Sequence, residues 1–253
     1  MSLRTRLLLI AFLLSSSANS TEPGDRRHLR DIPDFTQTDV KGGAFGNGQQ
    51  FCAPAAVSNS LLWLGGRTAG QKALVTLLAS ERYMNTDLKT GTGTTELLRG
   101  VDRYVTEELD GYRTLVYQGW RKHPAAFSGH VRVPTLAFIS RGVDDRSAAW
   151  INVGWYKVDA ASKEYRRIGG HWLTLVGFDF GNNQLIVNDP APPAGRTKSS
   201  EFVSFRELTG GRLTGRKSGL PTDARGYLQL GRGMHLHSKA DTAIIDGVVL
   251  LEL

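Results

Sequence analysis

Apolar and polar positions alternate with different periods in the two halves of the chain. Ala53 to Leu64 reads Ala-Pro-Ala-Ala-Val-Ser-Asn-Ser-Leu-Leu-Trp-Leu and is followed by Gly65-Gly66. Pro54 falls in a first turn, where its missing N–H costs nothing, and the glycines form a stop, so this predicts a helix with Cys52 at its N-terminus. Leu74, Leu77 and Leu78 recur at helical spacing and predict a helix from about Gln71 to Met84. Leu97, Leu98, Val101, Tyr104, Val105 and Leu109 predict another from Thr95 to Leu109. From Tyr112 onward the period shortens to strands: Arg113–Tyr117, Val133–Ile139, Ala149–Val158, Trp172–Phe178, Gln184–Asn188, Tyr227–Leu230 and Ala243–Leu251. Helices first and an antiparallel sheet afterwards define an α+β fold. Residues 190–225, with Pro190, Pro192 and Pro193, predict a long surface loop broken by a short strand near Phe202–Phe205.

The start of the chain reads as an address. Arg4 and Arg6 precede an apolar run from Leu7 to Leu14, and Ser15 to Ser20 is small and polar, which predicts a signal peptide over residues 1–20 cleaved after Ser20. That run is too short for a bilayer core, which needs about 20 apolar residues, so no stable membrane insertion is expected after cleavage. Residues 21–32 are charged and read as a flexible arm; residues 33–253 read as one domain. A secreted or periplasmic protein follows, expected to be a monomer.

Composition narrows the possibilities. With 253 residues, 40% hydrophobic and 22% charged, the chain can bury a core, and 29 glycines against 9 prolines point to many tight turns. Lysine and arginine number 31 against 24 acids. This modest excess is scattered rather than gathered into an aromatic-interleaved basic stretch, so nucleic acid is not an expected partner.

A single cysteine, Cys52, in an exported chain excludes an intrachain disulfide. It is either a buried small hydrophobe or a reactive thiol. At a helix N-terminus the partial positive charge and free N–H groups stabilise a thiolate, which favours a nucleophile. Such a nucleophile needs a base, and histidine suits the exchange near neutrality.

Of six histidines, His171 follows Gly169-Gly170 and opens the apolar strand Trp172 to Phe178, placing it at a sheet end. The turn Asp179 to Asn183 and the strand Leu185 to Val187 bring Asn188 or Asp189 back beside it, where one of them can orient the imidazole. His235 and His237 flank Leu236 in an expected strand but make a weak metal pair, and no metal or organic cofactor is expected. His123 and His130 read as solvated loop residues. Trp63, Trp150, Trp155 and Trp172 fit core or cleft-wall positions.

Gln-Gln-Phe-Cys-Ala-Pro-Ala-Ala-Val-Ser-Asn around Cys52, then Gly-Gly-His-Trp-Leu-Thr-Leu-Val-Gly-Phe-Asp and Ile-Val-Asn-Asp-Pro downstream, resembles the papain-like cysteine peptidases. The order and the helix start are most similar to the bacteriocin-processing, double-glycine-leader type, although Ala53 stands where that family usually has glycine. The resemblance implies a papain-like α+β fold whose helical part carries the cysteine and whose sheet carries the histidine and acid. It implies Cys52 as nucleophile, His171 as general base and Asp189 as orienting acid, with Gln37 or Gln50 in the oxyanion hole. The substrate would be a peptide or protein, hydrolysed through a thioester acyl-enzyme. A non-catalytic peptide-binding module, or a transglutaminase- or amidase-like acyl transferase, is the alternative on the same scaffold.

Overall fold

The computed structural model describes residues 26–40, 47–66, 70–192, 199–215 and 221–253. The proposed signal peptide and its cleavage site lie outside these residues. In chain order the elements are β1 (Arg26–His28), α1 (Cys52–Leu64), α2 (Gln71–Ala79), α3 (Thr94–Glu108), β2 (Thr114–Gly119), α4 (Leu136–Arg141), β3 (Ser147–Asp159), β4 (Glu164–Asp179), β5 (Gln184–Asn188), β6 (Glu201–Glu207), β7 (Arg212–Gly215), β8 (Thr222–Asp223), β9 (Leu228–Leu230) and β10 (Thr242–Glu252). The α+β order read from the sequence is the order found.

The sheet is a closed barrel. β3 pairs with β4, β4 with β5, β5 with β6, β6 with β9, β9 with β10, and β10 returns to β3, all antiparallel. Closure removes the exposed edges an open sheet would leave. β2 extends the sheet from β10, β1 and β7 attach to β4, and β8 pairs with β7. Inward-facing Ile151, Val153, Leu173, Leu175, Val187 and Ile245 share one buried cluster with Phe138 and Ile139 of α4. On the outer face Trp150, Trp172 and Val249 pack against α1 and α3 through Ala56, Val57, Leu97 and Val101.

This packing holds α1 tightly, with every residue from Ala53 to Leu62 buried. A helix apolar all round belongs inside. Its few polar groups are satisfied across the interface: Thr174 Oγ1 donates to the Ala56 carbonyl at 2.8 Å and accepts from Asn59 Nδ2 at 3.2 Å. This pins the N-terminal half of α1 to β4.

Several elements depart from the sequence reading. Residues 133–139, expected as a strand, hold the start of α4, because Thr135 caps it by accepting the Phe138 N–H at 3.1 Å. α2 stops at Ala79, where Ser80 turns to extended backbone. β4 begins seven residues before His171, so that residue lies within a strand and not at its start. Gly169 and Gly170 do not break it, because Gly170 faces Gly154 across the ladder and a side chain at either position would collide with the Arg167–Asp246 pair. Part of the expected arm, Arg26–His28, is β1 and pairs with Gly177 to Asp179. In the expected loop 190–225 the short strand near Phe202–Phe205 is found as β6, and β7 and β8 are strands the reading did not expect. His235 and His237 are exposed on the irregular segment before β10, outside any strand, and His123 is half-buried with its ring 4.7 Å from that of Tyr117.

Candidate active site

Three elements meet at the N-terminus of α1. Cys52 is its first residue and is half-buried. Phe51, at the N-cap, offers no side-chain acceptor to the free N–H groups, so the positive end of the helix is left for another anion.

His171 reaches the site although it is in mid-strand. β5 pairs with β4 only as far as Thr174↔Asn188, and β7 pairs with it only up to Arg167. Between these, residues 168–173 carry no partner on that edge among the described residues. Asp189, one residue past the last pair, shares a face with Leu173 and His171 and turns into this gap. Its Oδ1 lies 2.6 Å from His171 Nε2 and accepts the Ala191 N–H at 2.8 Å. Both side chains are buried. Trp155 stacks on the imidazole with ring centroids 5.9 Å apart and 20° between planes.

The electrostatics follow from this geometry. Burial alone would push the His171 imidazolium down, but the Asp189 carboxylate, by charge and hydrogen bond, outweighs it. The nearby Cys52 thiol adds to the effect, and the imidazolium is held well above its ordinary range. Burial raises Asp189 in turn, and the facing His171 more than reverses it, so Asp189 stays ionised. With Nε2 on the acid, Nδ1 is the nitrogen left for the thiol. A protonated imidazole and an ionised carboxylate can thus stand behind a thiol at a helix N-terminus, the arrangement needed to activate a sulfur nucleophile and to protonate a leaving group.

Asn188 has a different occupation. Its Nδ2 donates to the carbonyls of Ile32 and Pro33 at 3.2 and 3.0 Å, and its Oδ1 accepts from Ser200 Oγ at 2.7 Å. It ties the segment after β1 to the end of β5 and is turned away from His171.

The two glutamines separate. Gln37 is buried, its backbone N–H bonds the Pro190 carbonyl at 2.9 Å, and its Nε2 donates to the Gln49 carbonyl at 2.6 Å. Gly48 lies so close to the Gln37 backbone, at a φ of +76°, that only glycine fits. Gln50 is turned toward Gly91 in the loop before α3. Trp155, read from the sequence as a core or cleft-wall residue, is the one that lies against His171. Glu201, which accepts the Asp189 N–H at 3.2 Å, escapes the sequence reading, because as the first residue of a half-buried strand it gives no local signal.

Among the described residues no three His, Cys, Asp or Glu side chains gather to hold a metal ion, and no helix is long and apolar enough to cross a membrane. No curated protein matches the sequence. The model of the Peptidase_C39 like family matches residues 29–208, a segment that includes Cys52, His171 and Asp189. The chain therefore belongs to that family, the papain-like cysteine peptidases of the C39 type.

Proposed function

We propose that the protein is an exported peptidase that cleaves peptide bonds through a Cys52–His171–Asp189 triad. The observation that carries this reading is the buried His171–Asp189 pair, 2.6 Å apart, with the Cys52 thiol beside the same imidazole. The Cys52 thiolate attacks the substrate carbonyl and forms a tetrahedral intermediate. His171 gives its proton to the departing amine, leaving a thioester on Cys52, and water deprotonated by His171 hydrolyses the thioester. Asp189 keeps the ring oriented and its charge balanced throughout.

The oxyanion would be held by the Cys52 backbone N–H and by Gln37, whose amide nitrogen has a second N–H beyond the one given to Gln49. Gln37 is favoured over Gln50 because it is anchored on Pro190, next to the acid. Export rests on the basic, apolar and small-residue segments of residues 1–20, so the mature chain would start at Thr21 as a secreted or periplasmic protein.

The test is incubation of the purified protein with a mixed-sequence peptide library, with acid-quenched samples read by mass spectrometry. New peptide termini, together with an acyl adduct on the Cys52 peptide, are expected, and Cys52→Ala should give neither. A Cys52→Ala protein that cleaves as well as wild type would remove Cys52 as nucleophile. Retained peptide binding with no cleavage by wild type would make the protein a binding module.

A further inference from the structure

β6 lies beside β5 with Val187 opposite Glu201, which puts the start of β6 against the exit of β5. Two consecutive residues, Ser200 just before β6 and Glu201 at its start, hold two consecutive residues of that exit. Ser200 Oγ donates to Asn188 Oδ1 at 2.7 Å, and Glu201 Oε2 accepts the Asp189 backbone N–H at 3.2 Å. Among the described residues Asp189 uses only one oxygen: Oδ1 serves His171 and Ala191, while Oδ2 is buried without a hydrogen-bond partner. A carboxylate so thinly held in a buried site depends on the backbone that carries it.

We propose that Glu201 is a positioning residue of the active site: by accepting the Asp189 N–H its carboxyl holds the 188–189 turn so that the Asp189 carboxylate stays on His171, and a negative charge on Glu201 would repel that carboxylate from its place. The inference rests on the reading of Cys52, His171 and Asp189 as the catalytic groups.

Charge balance supports it. Three acids converge here, Glu201 from β6, Asp189 from the end of β5 and Asp34 from the segment after β1, with His171 and the exposed His235 facing Asp189. Closely spaced buried carboxylates do not all ionise. His171 keeps Asp189 charged. Glu201 is pushed up to about 8, by burial first and then by the charges of Asp189 and Asp34, against the opposing pull of the Asp189 N–H. At neutral pH it therefore carries a proton, and ionising it would set a second negative charge beside Asp189.

Two readouts on the full-length protein test this. One is the alkylation rate of Cys52 by iodoacetamide; the other is the downfield proton resonance of the His171 ring N–H bonded to Asp189. At pH 6, Glu201→Ala is expected to alkylate about tenfold more slowly and to lose the resonance. Glu201→Gln, a neutral isostere that keeps an acceptor for the Asp189 N–H, is expected to rescue both to within about twofold of wild type. Between pH 7 and 9 the resonance should weaken in wild type and persist in Glu201→Gln. Wild-type rates in Glu201→Ala, or superimposable pH profiles for wild type and Glu201→Gln, would overturn the proposal. Should Glu201→Ala fail to fold, the second comparison still decides. Alkylation unaffected by His171→Ala would instead bring down the triad reading on which the proposal stands.

Discussion

His171 Nε2 and Asp189 Oδ1 lie 2.6 Å apart because β5 stops pairing with β4 at Asn188, three residues short of the position opposite His171. The unpaired stretch of β4 gives the acid room to turn in. Burying both groups costs desolvation, which their mutual attraction has to offset.

Replacing Asp189 separates charge from geometry. Asp189→Asn retains an acceptor for His171 but removes the charge that holds the imidazolium up. The alkaline fall in peptidase activity should move to lower pH, with kcat reduced more than KM is changed. Asp189→Ala should cost about 10²-fold or more in kcat. A pH–rate series checks both, and an unshifted alkaline limb in Asp189→Asn would remove Asp189 from the site.

Gln37 and Gln50 are distinguished by the same assay. Loss of an oxyanion donor costs about 10²–10³ in kcat, so Gln37→Ala should fall by that order while Gln50→Ala stays within about threefold. The reverse ranking would assign the donor to Gln50.

Stability should depend on pH through His171. Its imidazolium is favoured in the folded state, so the folded chain binds a proton that the unfolded chain releases above its ordinary value of 6.5. The resulting stabilisation is complete below that value and is lost as pH rises through the raised one. Denaturant midpoints measured from pH 6 to 10 should decline more steeply in wild type than in His171→Ala.

Legibility differed between near and far contacts. α1 with Cys52 at its start, its end at Gly65 and β5 all follow from local pattern, which brings Asn188 or Asp189 near His171 without choosing between them. The barrel does not, because closure depends on β9 and β6 meeting β10 and β5 across long loops, a relationship no local period encodes. Gly169 and Gly170 signal a break before Trp172, yet β4 runs through them, and Gly170 with Gly154 opposite makes room for Arg167 and Asp246. Glu201 looks like an ordinary strand-opening acid until Asp189 is folded against it.

That Arg167–Asp246 pair carries its own expectation. Asp246 is fully buried at a bulge in β10, accepts from the Trp120 indole at 2.9 Å and from the Tyr156 hydroxyl, and pairs with Arg167. Removing one partner strands the other, so Asp246→Ala should cost about 3–5 kcal/mol in unfolding free energy. Urea titration gives the value, and a loss under about 1 kcal/mol would mean that water or a rearranged partner replaces the carboxylate.

The most direct test of the central claim is the rate of Cys52 alkylation by limiting iodoacetamide from pH 4 to 9, followed by mass spectrometry in wild type and in His171→Ala. Rapid modification well below pH 7, slowed at least tenfold by His171→Ala, is the predicted result and establishes a thiolate paired with the imidazolium. A thiol that reacts only above pH 8, at the same rate in both proteins, would contradict it.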